Sequence, residues 1–271
     1  MIWARRAALN GNQLDEIDNA IVIRGIEQAA GKDTLTAGST GGPFGMRITG
    51  ARRDSLDITL RFAIDIKKND LEGRSAVLEA VNAWAAAASR ENGGAWLTVG
   101  HKPDRRIRVV LAQPAPEGDL WKWTEDFPII FRAYGVPYWE QSEANTTSTD
   151  GNASGAYGAI TIGGSAVTQV NAYLKNTSGA GINTATVNIG GKNMGFSTLG
   201  LAADETLTID HTGDGLVRIR IRSSGGTYRS AMANRTPESA DDFTVMPGAR
   251  ECSFSAQRAC KLTVEWRDRY L

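Results

Sequence analysis

Few residues in this chain have the type and spacing that chemistry requires. The two histidines, His101 in GHKPD and His211 in DHTGDG, stand in turn-like contexts, so each is expected to be a solvated turn residue rather than a general base. No G-x-S-x-G nucleophile elbow, no phosphate-cradling glycine loop followed by lysine and no H-E-x-x-H helix is present. Asp204, Asp210 and Asp214 lie close together but lack the alternating ligands of a calcium loop, and read as surface turns. Two cysteines, Cys252 and Cys260, are too few for a zinc site. A hairpin turning on Ser255–Gln257 would set the two thiols face to face, whereas other registers separate them; a reducing compartment favours two packed thiols. The expected inventory is therefore no catalytic residue, no cofactor and no metal, and the chain is not expected to be an enzyme.

Other residues have the types that bind. Arg218, Arg220 and Arg222 alternate with Val217, Ile219 and Ile221, and Arg106 and Arg108 flank Ile107 and Val109. Such rows form either an anion-binding surface or the wet face of a half-buried sheet, and balanced charge favours the second. Trp3, Trp121, Trp123, Tyr138 and Trp139 could stack on sugars; grouped near the middle of the chain, they are expected instead to pack a seam between domains, Trp123, Pro137, Tyr138 and Trp139 above all. The alternative function is a carbohydrate-binding adhesin that uses exposed aromatics such as Tyr173 or Tyr228. A glycosidase is a third reading, for which no carboxylate pair stands out.

Composition supports surfaces rather than pockets. The chain has 271 residues, 41% hydrophobic and 22% charged, with 30 glycines, a turn-rich and strand-rich balance. Lys and Arg equal Asp and Glu, 18 of each sign through Glu140 and 12 of each after it, so non-specific attraction to nucleic acid or anionic lipid is not expected. No run approaches the ~18 apolar residues of a membrane span, and MIWARRAALNG lacks a signal-peptide apolar region; a cytosolic site of synthesis is expected.

The elements divide near the middle. WTEDFPIIFRAYGVPYWE (123–140) passes into QSEANTTSTDGNASGAYG (141–158), which predicts a first domain over 1–140, a linker over 141–158 and a second domain over 159–271. In the first, Ile2–Leu9 reads as a strand closed by the Asn10-Gly11 turn, and Ala20–Ile26 as another. Gly31–Gly45, with Gly31, Gly38, Gly41, Gly42, Gly45 and one proline, reads as an irregular loop. Met46–Arg53 and Ser55–Ile66 read as two strands parted by Asp54, the second with apolar residues at period two from Leu56 to Ile66. One helix is predicted over Asp70–Arg90, capped by Asn69 with Glu72 and stopped by Gly93-Gly94, its stripe formed by Leu71, Val77, Leu78, Val81, Trp84, Ala85 and Ala88. Strands at Ala95–Val99, Arg105–Gln113 and Lys122–Tyr134 follow. The second domain shows short strands at Ala159–Ile162, Gln169–Lys175, Ala185–Ile189, Leu207–Asp210, Leu216–Arg222, Phe243–Met246, Glu251–Ala256 and Cys260–Trp266, the spacing of a jelly-roll or galectin-like sandwich. The fold class is mainly β, with an α+β first domain.

This order of elements, with the aromatic corner Pro137-Tyr138-Trp139-Glu140, Met246-Pro247-Gly248 leading into a terminal hairpin, and the ending VEWRDRYL, resembles the distal tail proteins of long-tailed, non-contractile phages. The resemblance implies a tail-tube-like first domain with long hairpins and one helix, and a galectin-like second domain. It also implies a homohexameric ring whose partners are the tail tube protein, the tape measure protein and tail hub, tip or receptor-binding proteins. DNA only passes through the channel, and no membrane is involved. The chain would be a structural virion component assembled in the bacterial cytoplasm, without catalytic residues and without a large inserted carbohydrate-binding module. On this view the Gly31–Gly45 loop orders against a neighbouring subunit, and the Pro137–Glu140 corner fixes the angle between domains.

Overall fold

The computed structural model describes residues 6–29, 32–39, 46–67, 70–116, 126–134, 136–151, 154–212 and 215–271. The chain divides into two compact units, Met1–Trp139 and Glu140–Leu271.

The first unit is a sheet with one helix against it. Its strands are β1 (Ala7–Leu9), β2 (Asn12–Gln13), β3 (Ile21–Gln28), β4 (Lys32–Ser39), β5 (Met46–Ile64), β6 (Ala95–Val99), β7 (Lys102–Gln113) and β8 (Phe127–Ala133); α1 spans Leu71–Ala86. The sheet order is β2-β1-β6-β7-β8-β5-β3, with β4 also on β5. Asn10 and Gly11 have φ of 51° and 90°, positive at both central positions as a tight hairpin turn requires, and the Asn10 carboxamide accepts from the Trp96 backbone N–H at 2.9 Å. Period two sends Leu56, Ile58, Leu60 and Phe62 to the helix face, and Phe127, Ile129, Phe131 and Ala133 join them from β8.

Three sequence expectations change here. Met46 to Ile64 is one continuous strand of 19 residues: the register with β4 skips Asp54, a bulge that interrupts the ladder without ending the strand. Within the stretch expected to be an irregular loop, Lys32–Ser39 forms an antiparallel pair with Ser55–Met46, its register shifting between Lys32 and Asp33 and between Thr36 and Ala37; its threonines suit a strand, and only positions 31, 40–45 lie outside the described residues. The helix is capped by Asp70, whose carboxylate accepts from Gly73 N at 2.9 Å; Asn69 lies outside the described residues. It ends at Ala86, seven residues before Gly93. Three-residue turns at Ala87, Ala88 and Ser89 tighten the chain, and the Asn92 side chain donates to the Ala86 carbonyl at 3.2 Å. Val77, Leu78, Val81, Trp84, Ala85 and Ala88 are buried as expected, whereas Leu71 is exposed. Trp84 meets Phe131 edge to face at 6.0 Å and donates to Asn12 O at 2.9 Å, which fixes the helix on the sheet.

β9 (Trp139–Gln141) spans the division between the units. The second unit holds β10 (Asn145–Gly151), β11 (Ser154–Ile162), β12 (Thr168–Asn176), β13 (Ala185–Ile189), β14 (Lys192–Phe196), β15 (Thr206–His211), β16 (Val217–Arg222), β17 (Tyr228–Ser230), β18 (Thr244–Val245), β19 (Gly248–Ala256), β20 (Cys260–Trp266) and β21 (Arg269–Tyr270). A seven-stranded sheet runs β10-β20-β12-β15-β16-β17 with β18 on β12, and a four-stranded sheet runs β11-β19-β13-β14. Val170, Leu174, Ile209, Ile221 and Val264 of the first meet Val187, Met194 and Phe254 of the second in one core, so this unit is a β-sandwich.

The tract 141–158, expected as a linker, is built into that sandwich. Asn145–Gly151 pairs residue for residue with Trp266–Cys260, and β11 follows. An edge strand of threonine and serine needs no alternation of apolar residues, so it resembles a linker in sequence. The expected hairpin joining the strands of Cys252 and Cys260 is absent: β19 and β20 belong to different sheets, and the residues between them cross the sandwich. Both cysteines are buried, free thiols.

Candidate assembly surfaces

The long hairpin of the first unit is the feature with the plainest unmet need. β3 and β4 follow one another along the same side of β5, pairing with Ile64–Ile58 and then Ser55–Met46. On the other side, β8 pairs only Leu56 to Phe62. Among the described residues, Met46–Ser55 therefore continues past the sheet as a two-stranded arm, ten residues or about 33 Å of strand. A two-stranded ribbon is marginal alone in water, because it has no third strand or helix to bury a face. Gly38 sits in this arm, paired with Arg47; Gly31, Gly41, Gly42 and Gly45, expected with it to form an inter-subunit loop, lie outside the described residues.

The expected seam residues have separate placements. Trp139 is 1% exposed: its indole N–H donates to Gln28 Oε1 at 2.8 Å, and the Lys102 ammonium lies 4.6 Å from its ring centroid. Lys102 also donates to Gln28 Oε1 at 3.3 Å, so the end of β3 and the start of β7 share one polar clasp on the tryptophan. Burial, then the neighbouring Arg105, lowers the Lys102 pKa. Pro137 is buried and Tyr138 half-buried, while Trp123 lies outside the described residues, as do Trp3 and Trp121.

The helix-free face of the first sheet carries matched charges. Arg132 clasps Asp57 with two hydrogen bonds, one of 2.7 Å, and Arg61 meets Glu27 at 2.9 Å. Arg106 stacks 4.0 Å over Trp96, and Arg108 donates to Gly93 O at 2.8 Å. This face is polar, as the alternation of Arg106 and Arg108 anticipated, but these four arginines are engaged internally.

The second unit uses its arginines similarly. Asp210 is 9% exposed and held by Arg218 and by Arg220, the latter at 3.3 Å. It is thus a buried member of an ion cluster rather than the surface-turn residue expected. Asp204 pairs with Lys175 at 3.1 Å, and Asp214 lies outside the described residues; among the described residues no group of three or more His, Cys, Asp or Glu could hold a metal ion. His101 is exposed in its turn, its pKa lowered by partial burial and then by Lys102. His211 departs from expectation. It ends β15, half-buried, with Nδ1 3.1 Å from Asn171 Oδ1, and burial pushes its pKa down to about 4. Burial also raises both thiols to about 11, which leaves them poor nucleophiles at neutral pH. Sequence reasoning missed the Asp210 cluster although its signal was present: once β15 and β16 pair as a hairpin, Asp210 falls opposite Arg218.

No family model and no curated protein sequence matches this chain. Solved structures do. The Dit protein of phage SPP1, described as a paradigm of the hub adsorption apparatus of phages infecting Gram-positive bacteria, superposes with a TM-score of 0.67 at 14% identity, covering 98% of this chain and 99% of that one. A chain of the phage p2 baseplate in its activated conformation with Sr gives 0.46 at 9% identity, and one with Ca gives 0.45 at 8%, each covering 97% of both chains. At these identities the likeness to SPP1 Dit is one of fold.

Proposed function

We propose that the chain is a structural distal tail protein of a long-tailed, non-contractile phage or prophage. Six copies close a ring at the end of the tail tube; the first unit builds the ring around the channel for tape measure and DNA, and the second, a galectin-like sandwich, serves as docking platform for hub, tip or receptor-binding proteins. The observation that carries this reading is the two-way coverage of the SPP1 Dit fold, both units in order and nearly end to end. A shared fold alone does not transmit a function, so the reading draws on a second physical feature.

The β4–β5 arm gives that support. A ribbon that has no third strand among the described residues is stabilised by a neighbouring copy, and head-to-tail contacts of identical subunits that close into a ring leave no copy with a bare arm. The glycines Gly31, Gly38, Gly41, Gly42 and Gly45 belong to this inter-subunit segment. Pro137, Tyr138 and Trp139, with Trp123, set the direction in which the chain leaves the ring-building unit. The Arg132–Asp57 and Arg61–Glu27 pairs neutralise charge on the helix-free sheet face, which suits a channel through which DNA only passes.

Negative-stain electron microscopy with mass photometry tests the reading. Six-fold rings of the purified chain are expected. A species that stays monomeric at high concentration would remove the reading, and hydrogen exchange in 31–45 that is equal in free and assembled forms would remove the role of that segment.

A further inference from the structure

The outward face of the seven-stranded sheet is ordered like a recognition surface. Across its strands, side chains opposite the core line up in register: Lys261, Lys175, Thr206, Arg222 and Tyr228 form one row, and Thr263, Tyr173, Thr208, Arg220 and Ser230 the next. Beyond them stand Glu265 beside Asn171, and Asp210 beside Arg218.

Two features of this face ask for a ligand. Tyr228 is 51% exposed, and the Arg220 guanidinium lies 4.3 Å from its ring centroid; the guanidinium backs the ring and holds it in place. Arg220 is itself fixed, through Asp210 and through the hydrogen bond from Thr208 Oγ1 to its carbonyl at 3.1 Å. Arg222, directly opposite Tyr228, is exposed and has no ion pair among the described residues, although its neighbours Arg218, Arg220 and Lys175 each have one. An exposed aromatic ring across the ladder from an exposed guanidinium without an ion pair among the described residues, beside a floor of hydroxyls and a carboxamide, matches a sugar ring that carries an anion. The apolar C–H face of the sugar lies on the tyrosine, its carboxylate or phosphate meets Arg222, and its hydroxyls reach Thr206 and Tyr173; Thr208 is buried, its hydroxyl given to the Arg220 carbonyl. Tyr173 is half-buried on this floor, where burial, Glu265 and Asp210 push its phenol up to about 12, so it stays a neutral donor.

We propose that this face binds an acidic saccharide, with Tyr228 as the stacking platform and Arg222 as the partner of the anionic group. Because the floor is built on central strands, little ordering accompanies binding. The site goes beyond the ring reading and does not depend on it.

The test is a titration of the full chain, by saturation-transfer NMR and calorimetry, with hexagalacturonate as the acidic probe and maltohexaose and chitohexaose as neutral ones. Saturable binding of hexagalacturonate that weakens as salt rises is expected, with the neutral probes at least about tenfold weaker. Tyr228→Ala is expected to weaken binding about tenfold, and Arg222→Ala to weaken it and remove most of the salt dependence, both with the wild-type melting profile because neither side chain is buried. Absence of saturable hexagalacturonate binding, equal binding of the neutral probes, or a Tyr228→Ala chain that titrates like wild type would each overturn the proposal. Rings without saccharide binding would overturn it and leave the ring reading standing.

Discussion

The two units solve the problem of sheet edges in opposite ways. In the sandwich, the outer edge of β14 is covered by the chain itself: Thr236 N donates to Gly195 O at 2.9 Å, Ala240 N to Asn193 O at 2.7 Å and Ser197 N to Asn234 O at 2.9 Å. Asn176 does the same inside a loop, its amide donating to the carbonyls of Ala180, Leu201 and Ala202 at 2.9–3.0 Å. The first unit instead runs β5 past the strand that should flank it and leaves Met46–Ser55 with one partner among the described residues. A unit that covers an edge with its own chain needs no neighbouring copy at that edge. One that sends a ribbon beyond its sheet is shaped for another copy.

The largest effect that could break this contrast is loss of the arm. Replacing residues 33–53 by a short turn should abolish assembly while leaving the melting transition of the sandwich where it was, as read by mass photometry and calorimetry. A shortened chain that still forms rings would show that the arm is not the contact. Next comes Trp139→Ala. Its hydrogen bond and cation contact both lie in the first unit, so a cost of about 3–5 kcal/mol should fall on that unit's transition alone. A matching loss in the sandwich would mean that the tryptophan holds the two units together instead.

A pH experiment separates the units from the other side. His211 has its folded pKa pushed down to about 4 from an ordinary value near 6.5, chiefly by burial. The unfolded chain therefore binds the proton first, and stability present above about pH 6.5 is lost as pH falls toward 4, by about 3 kcal/mol at most. The sandwich should melt lower at pH 4.5 than at pH 7, and His211→Gln should flatten that slope; an unchanged slope would show that other groups set it. The smallest effect belongs to the surface. Asp57→Asn breaks a half-exposed, bidentate pair with Arg132 and should cost about 1 kcal/mol or less in the first unit, seen by denaturant titration.

The same contrast explains what was legible in the sequence. Strands with one face in a core announced themselves: Leu56 to Ile64, Ala185–Ile189 and Cys260–Trp266 all alternate, and all appear where alternation put them. β4 and β10 did not. Their residues are mostly threonine, serine, glycine and charge, with little apolar alternation to mark a period, so Lys32–Ser39 read as a loop and Asn145–Gly151 as a linker, whereas Met46–Arg53, the other strand of the arm, read as a strand. β14 was missed as well. Gly190 and Gly191, with φ of 61° and 82°, are the two central residues of a hairpin, but Lys192–Phe196 beyond them holds too few apolar residues to mark a strand. Of the candidate surfaces, the arginine rows were visible, but their partners were not, since Asp210 and Asp57 acquire meaning only once the registers are known.

The most direct measurement is mass photometry of the purified full-length chain, followed by class averages of the same sample in negative stain. A species of six times the 29.1 kDa chain with six-fold rings is expected, lost when residues 33–53 are removed. A monodisperse monomer across the whole concentration range, with the first unit folded, would contradict it.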